Sequence, residues 1–325
     1  MEETHPVAAG PGGIRVGFGT WALGGTDWGP VDARTAKLAI ARAAERGFRH
    51  FDTAEAYGNG AAEQRLGQAL RHRVRNQRET LQIATKSVVR PPASLAKHLE
   101  RSLRRLNTEY VDVYYIHWPR DGIDLRAAVA ELERQRQAGR IRAIGLCNVT
   151  VDEFHAAAQE GPVAAVQFGY NLLWRTPDTQ GLTALPATRV AYSPLAQGLL
   201  AREFRNPPEF SEGDHRPHTP LFAAATWPHV YRTHRDYLEL CTRRGVHPAA
   251  LAVYWAARRL DAAVVGGRTA VQIDALADGL ESLAARPAGA AEAAEDAAGL
   301  SANLAPLLPD LPNLFGYVPT PCRSS

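Results

Sequence analysis

The segment Phe51-Asp-Thr-Ala-Glu-Ala-Tyr-Gly58 carries a carboxylate, Asp52, and then a phenol, Tyr57. Lys86 closes the apolar run 81–86, and His117 closes the run 111–117. Brought together, these four groups could deliver a proton. A free phenol has a pKa near ~10 and is a poor acid at neutral pH. A nearby ammonium favours the phenolate and lowers that value, and a carboxylate beside the ammonium holds it in place. Lysine suits that task better than arginine, whose guanidinium is a bulky planar fork. His117 could hydrogen-bond a carbonyl oxygen beside Tyr57. Such a set suits protonation of an oxyanion that forms as hydride arrives at a carbonyl carbon. No side chain supplies hydride, so a nicotinamide cofactor is implied.

Taken singly, each residue has an ordinary explanation. Asp52 could cap a turn, Tyr57 could pack on a loop, and His117 could be a buried histidine bonded to backbone. Lys86 is harder to dismiss, because an ammonium at the end of an apolar strand needs a partner. Only three of the 37 basic residues are lysines. Lys37 and Lys97 fall on expected helices, where solvated charge is sufficient reason for them. Lys86 does not.

Candidate strands occupy 14–20, 48–52, 81–86, 111–117, 141–148, 163–167, 188–192 and 262–266. Several are β-branched or aromatic runs too short for helices. Helices are expected over 33–46 after Asp32, over 63–71, over 95–106 after Ser94, and over 125–138. Thr150-Val-Asp-Glu153 forms a capping box before 154–159. The alternation is α/β and predicts a (β/α)8 TIM barrel. A doubly wound sheet is the alternative, but Gly17-Phe-Gly19 is not followed by a helix as a dinucleotide fingerprint would require. Strands seven and eight are separated by a long loop, 197–221, and two extra helices, 229–244 and 248–259. A long loop after a barrel strand lies on the functional face, so 197–221 is expected to be a flap over cofactor or substrate. One more helix and an extended tail should follow residue 283. The expected organisation is a flexible N-terminus over 1–13, a single barrel domain over 14–317, and a flexible tail over 318–325.

Composition narrows the function classes. Hydrophobic residues make up 45% and charged residues 22%, near the averages for folded soluble proteins. No run approaches the length of a membrane-spanning helix. Residues 1–13 lack the basic flank and apolar core of a secretory leader. The three cysteines are far apart, in neither a disulfide nor a zinc pattern, so a reducing, cytoplasmic setting is expected. The net charge of +3 comes from arginines interleaved with acids, which speaks against nucleic acid as a partner. No metal is expected. Nothing in the charge demands an oligomer, and a monomer is compatible with it.

Eight segments in order resemble the aldo-keto reductase superfamily across residues 14–283. They are Gly17-Phe-Gly-Thr-Trp21, Phe51-Asp-Thr-Ala-Glu-Ala-Tyr-Gly58, Ala84-Thr-Lys86, Tyr115-Ile-His-Trp118, Ile144-Gly-Leu-Cys-Asn148, Val166-Gln-Phe-Gly-Tyr-Asn171, Ala191-Tyr-Ser-Pro-Leu195 and Val265-Gly-Gly-Arg268. Glu212-Gly-Asp-His215-Arg216 resembles the bacterial branch related to potassium-channel β subunits. The resemblance implies a catalytic tetrad of Asp52, Tyr57, Lys86 and His117, with Tyr57 as general acid. It implies that Asn148 and Gln167 hold the nicotinamide carboxamide and that Tyr192 stacks on the ring. Position 147 is usually serine in the family. Cys147 is a weaker donor, which puts its carboxamide contact in doubt. Ser193, Leu195, Gln197 and Gly198 match the segment that wraps the pyrophosphate. Thr20, Trp21, Asp52, Gly266 and Gly267 complete the expected cofactor set. Arg268 and Gln272 match residues that hold a 2′-phosphate, at a helix start suited to anions. The family often has Glu-Asn near the adenine, where this chain has Ala275-Leu276. NADPH is therefore the expected cofactor, with NADH as the alternative. Trp21, Trp28, Tyr57, His117 and Trp118 are expected to line a flat pocket for a small carbonyl substrate. A second reading is a non-catalytic NADPH-binding module that reports redox state to a protein partner. The short stretch before the first strand is expected to tell against a tethered role of that kind.

Overall fold

Eight parallel strands, each paired with its sequence neighbours, close between first and last into a barrel. The structure is a computed structural model that describes residues 5–88, 91–119, 124–206, 208–302 and 304. The strands are β1 (Val16–Gly19), β2 (His50–Asp52), β3 (Gln82–Ser87), β4 (Val111–Ile116), β5 (Ile141–Cys147), β6 (Val163–Gly169), β7 (Thr188–Tyr192) and β8 (Ala262–Gly266). Around them run α1 (Ala33–Glu45), α2 (Ala61–Ala69), α3 (Arg71–Asn76), α4 (Pro92–Leu106), α5 (Leu125–Gln137), α6 (Val151–Ala157), α7 (Thr176–Thr179), α8 (Trp227–Arg244), α9 (Pro248–Arg259), α10 (Ala270–Ala284) and α11 (Pro287–Ser301). The (β/α)8 TIM barrel expected from the alternation is the fold. The 318–325 tail lies outside the described residues.

Local chemistry explains most boundaries. Asp32 caps α1 through Thr35 N, and Thr150 with Glu153 forms the expected capping box on α6. Ser94 does not start its helix. Proline at the first turn lets α4 begin at Pro92, and the Ser94 hydroxyl bonds back to Pro91 O at 2.9 Å. The expected helix 63–71 is two short ones, α2 and α3, meeting at Leu70.

Residues 5–13 are not loose. Val7 is fully buried and plugs the barrel floor against Val190, Ala262 and Val264. Burial of one such side chain contributes about 1.5–3 kcal/mol. Gln82 Nε2 also donates to His5 O at 2.9 Å. A larger apolar layer fills the space between strands and helices.

Ala84, Val113, Cys147 and Ala165 surround the ring of Tyr115. A Cβ at Gly145 would lie 2.2 Å from Tyr115 Cδ1, so that ring occupies the space a side chain would need. Gly145→Ala is therefore expected to overpack the interior and cost roughly 1–3 kcal/mol, read as a lower denaturant midpoint at unchanged slope. An unchanged midpoint would mean the ring moves freely.

Candidate active site

The C-terminal strand ends converge on one cleft of about 1210 Å³. Past Asp52 the β2–β3 ladder continues, with Thr53 N on Ala84 O and Glu55 N on Lys86 O, both at 2.9 Å. That continuation carries the chain across the barrel mouth and sets Tyr57 above Lys86. Gly58, at φ +59, touches Gly24 so closely that a Cβ would lie 2.1 Å from Gly24 O. The phenol's own loop and the β1–α1 loop can meet only there, without side chains.

Lys86 is fully buried. Its Nζ forms a short ion pair with Asp52 Oδ1, donates to Thr53 O at 2.9 Å and reaches Tyr57 Oη at 3.5 Å. Gln167 Nε2 donates to the other carboxylate oxygen, Asp52 Oδ2, at 3.1 Å. The His117 ring stands edge-on to Tyr57, centroids 5.6 Å apart. Thus Asp52, Tyr57, Lys86 and His117, separated by up to sixty-odd positions in sequence, form one cluster.

The electrostatics differ from the expectation in one respect. Burial pushes the Tyr57 phenol up, and this outweighs the lowering by Lys86. Burial also works against the charged form of Lys86, but Asp52 and the facing groups prevail and hold its ammonium above the usual lysine range. Tyr57 is consequently a protonated phenol at neutral pH, with a fixed cation beside the oxygen where negative charge would develop. Burial holds His117 well below the usual histidine range, so its ring is neutral. Its Nδ1 has no partner among the described residues.

Most of the expected cofactor residues line the cleft: Trp21, Asp52, Asn148, Gln167, Tyr192, Ser193, Leu195, Gln197, Gly198, Gly266, Gly267, Arg268 and Gln272. Thr20 is the exception. It is fully buried, and its N–H and hydroxyl both donate to Asp52 O. Its polar groups serve the β2 end rather than the cleft. Asn148 accepts from Tyr192 Oη at 2.7 Å and donates to His117 O at 3.1 Å. Cys147 lies behind this wall, where its thiol donates to Gln167 Oε1 at 3.5 Å.

The residues present fit a dinucleotide. Ser193, Ala196 and Gln197 all have positive φ, so the β7 loop curls tightly under the cleft. Gln197 Nε2 is buried there without a partner among the described residues, a donor that a phosphate oxygen would satisfy. Arg268 stands before α10, and its guanidinium donates to Trp28 O and Pro30 O, each at 2.8 Å. It therefore straps the β1–α1 loop, a role the sequence did not suggest. Ala275 and Leu276 both line the cleft.

All five expected substrate-wall residues line the cleft. Trp21 stacks on Tyr57 at 6.2 Å and meets Trp28 edge-on at 5.3 Å. The sequence reading missed His215 and Asp27. His215, in the 197–221 loop, sits 4.7 Å from both Trp21 and Trp28. Its N–H and Nδ1 bond Asp27 O at 3.0 and 2.7 Å, and Asp27 Oδ2 accepts from Trp21 Nε1 at 2.8 Å. The described part of this loop rests on a packed base, in which Phe204, Phe210, Phe222 and Trp227 pack together. Only the Asp214-His215-Arg216 signature hinted at this wall, and no period or spacing linked it to Trp21.

A model of the aldo/keto reductase family matches residues 15–284. The chain belongs to the aldo/keto reductase family. It is thus an NAD(P)H-dependent oxidoreductase, of a family whose enzymes act on small carbonyl compounds. It is 30% identical over 294 residues to the aldo-keto reductase YhdN of Bacillus subtilis (strain 168), covering 86% of this chain and 88% of the relative. It is 28% identical over 285 residues to the NADH-specific methylglyoxal reductase of Escherichia coli (strain K12), covering 79% and 86%. A glycerol dehydrogenase from Gluconobacter oxydans superposes with TM-score 0.75 at 26% identity, covering 92% of this chain and 97% of that one. Among the described residues no helix of this reductase is long and apolar enough to cross a membrane.

One further histidine lies under the tetrad. His50 shares the inward face of β2 with Asp52, and Gly17 leaves room for its ring. Burial lowers its pKa, against the pull of Asp52. The fold therefore refuses a proton that the unfolded chain accepts below about 6.5. The stability this implies is complete above that pH and is lost as pH falls beneath it. The denaturant midpoint should drop between pH 7.5 and 5.5, and drop less in His50→Gln. Equal drops would assign the acid sensitivity elsewhere.

Proposed function

We infer that the protein reduces an aldehyde or ketone to the alcohol with NADPH, with Tyr57 as the proton donor. The observation that carries this reading is the buried Lys86 ammonium, paired with Asp52 and 3.5 Å from Tyr57 Oη, at the closed end of a dinucleotide-sized cleft. When bound, a reduced nicotinamide would supply the hydride that the carbonyl carbon receives. As the C=O electron pair shifts to oxygen, Tyr57 would give that oxygen its proton. Lys86 stabilises the phenolate left behind, and Asp52 keeps the ammonium charged and in place. Neutral His117 orients the carbonyl by hydrogen bonding, which suits a ring whose proton is not shared with water. Solvent returns the proton to Tyr57, so carbonyl, reduced cofactor and one proton give alcohol and oxidised cofactor.

Asn148 and Gln167 would hold the carboxamide, Tyr192 would cover the ring, and Ser193, Leu195, Gln197 and Gly198 would wrap the pyrophosphate. Trp21, Gly266 and Gly267 would complete the cofactor wall. Arg268 and Gln272 would take a 2′-phosphate, which favours NADPH. The relatives point both ways: an aldo-keto reductase of Schizosaccharomyces pombe, 26% identical over 258 residues, is named for NADP(+), and the Escherichia coli one for NADH. The substrate would lie between Trp21, Trp28 and Trp118. A wall of aromatic rings with a neutral histidine selects compact, uncharged carbonyls.

Tyr57→Phe should lower kcat for aldehyde reduction by at least ~100-fold, the scale of a lost general acid, while NADPH still quenches tryptophan fluorescence. Normal turnover in that variant would remove Tyr57 as the acid. Absent turnover by the wild type across chemically diverse carbonyls would instead favour a redox-reporting module. Arg268→Ala should raise the KM for NADPH about tenfold, the scale of a lost charge-assisted hydrogen bond, and change the KM for NADH far less. Equal changes would leave Arg268 as a strap for the β1–α1 loop alone.

A further inference from the structure

Gln167 has two ends, and the structure occupies both. Nε2 donates to Asp52 Oδ2 at 3.1 Å, and Oε1 accepts from Cys147 Sγ at 3.5 Å. All three side chains are buried. The chemistry fixes which end of the amide faces which partner. An ionised carboxylate only accepts hydrogen bonds, so it requires the amide NH2. A thiol that stays protonated donates its S–H, so it suits the amide oxygen. Burial pushes the Cys147 thiol up and keeps it protonated. Reversing the amide would set oxygen against carboxylate and leave the thiol facing N–H.

We propose that Gln167 is a positioning residue for the proton-donating cluster, and that Cys147 sets its orientation. The chain of contacts runs from Cys147 to Gln167, to Asp52, to Lys86 and to Tyr57. Gln167 holds Oδ2 so that Oδ1 is left for the ammonium. Lys86 then sits at a fixed place under the phenol, where it can stabilise the phenolate. This goes beyond a carboxamide contact, because the Gln167 amide is committed to the tetrad before any cofactor is considered. It also gives Cys147 a task where it stands. The cleft wall here is made of Asn148 and Gln167, with Cys147 fully buried behind them. Titratable groups face the cluster from several strands: His50 on β2, Tyr115 on β4 with His117 just past its end, Cys147 on β5 and Tyr192 on β7.

The proposal rests on Tyr57 as the acid, and the experiment separates the two. The wild-type protein, Tyr57→Phe, Cys147→Ala, Cys147→Ser and Gln167→Met are compared with NADPH and one aldehyde, for kcat and for the KM of NADPH. Loss of the amide should cut kcat about tenfold, the scale of one hydrogen bond to a charged group, beyond any change in the KM for NADPH. Cys147→Ala should lower kcat by less, and Cys147→Ser, which keeps a donor, should restore it. The proposal is overturned if Gln167→Met raises only the KM for NADPH, or if both Cys147 variants keep the wild-type kcat. Those variants put only a hydroxyl or a hydrogen in place of the thiol, so the test survives even where Gln167→Met fails to fold. Undiminished turnover in Tyr57→Phe would instead bring down the underlying reading.

Discussion

The buried pair of Lys86 and Asp52 is the interaction on which the rest of the site depends. An ammonium taken out of water must be compensated, and removing one partner of such a pair costs about 3–5 kcal/mol. The compensation is built from several strands. β2 supplies the carboxylate and the Thr53 carbonyl, β3 the lysine, and β6 the glutamine that holds the second carboxylate oxygen. The continued β2–β3 ladder then brings Tyr57 over the pair. A solvated phenol would gain little from a cation. In this low-dielectric setting the cation opposes burial's effect on the phenol, without reversing it.

The loops turn this cluster into a site with walls. The β1–α1 loop carries Trp21 and Trp28, and it is tied on two sides. Arg268 grips its carbonyls from the β8–α10 turn, and His215 with Arg216 reaches it from the long β7–α8 loop. The far loop has its own aromatic core, so it presents His215 from a packed base. Expected cofactor and substrate residues are thereby joined by the same strap: Arg268 donates directly to the carbonyl of Trp28 and so fixes the loop that carries it.

Membership of the aldo/keto reductase family accounts for the barrel and for the order of the segments. The departures from the family pattern are where this chain's own physics shows. Cys147, where the family usually has serine, is buried and donates to Gln167, and Ala275-Leu276 lines the cleft.

Periodicity and spacing were enough for the barrel. Alternating short apolar runs and amphipathic stretches leave few ways to bury both faces of a parallel sheet, and 188–192, 248–259 and 262–266 match the observed bounds. The tetrad was legible for a similar reason: a strand end in a barrel points to a known face, so residue types at strand ends can be assigned to one site. The loose ends were less legible. Residues 5–13 look like a tail by composition, yet Val7 is held by a floor that exists only once the strands have closed. The sign of the Tyr57 shift, the two bonds of Gln167, the strap made by Arg268 and the place of His215 beside Trp21 were beyond the sequence. Each depends on burial, or on a distance between groups far apart in the chain. Such quantities are set by packing in three dimensions, and no local pattern of residues carries them.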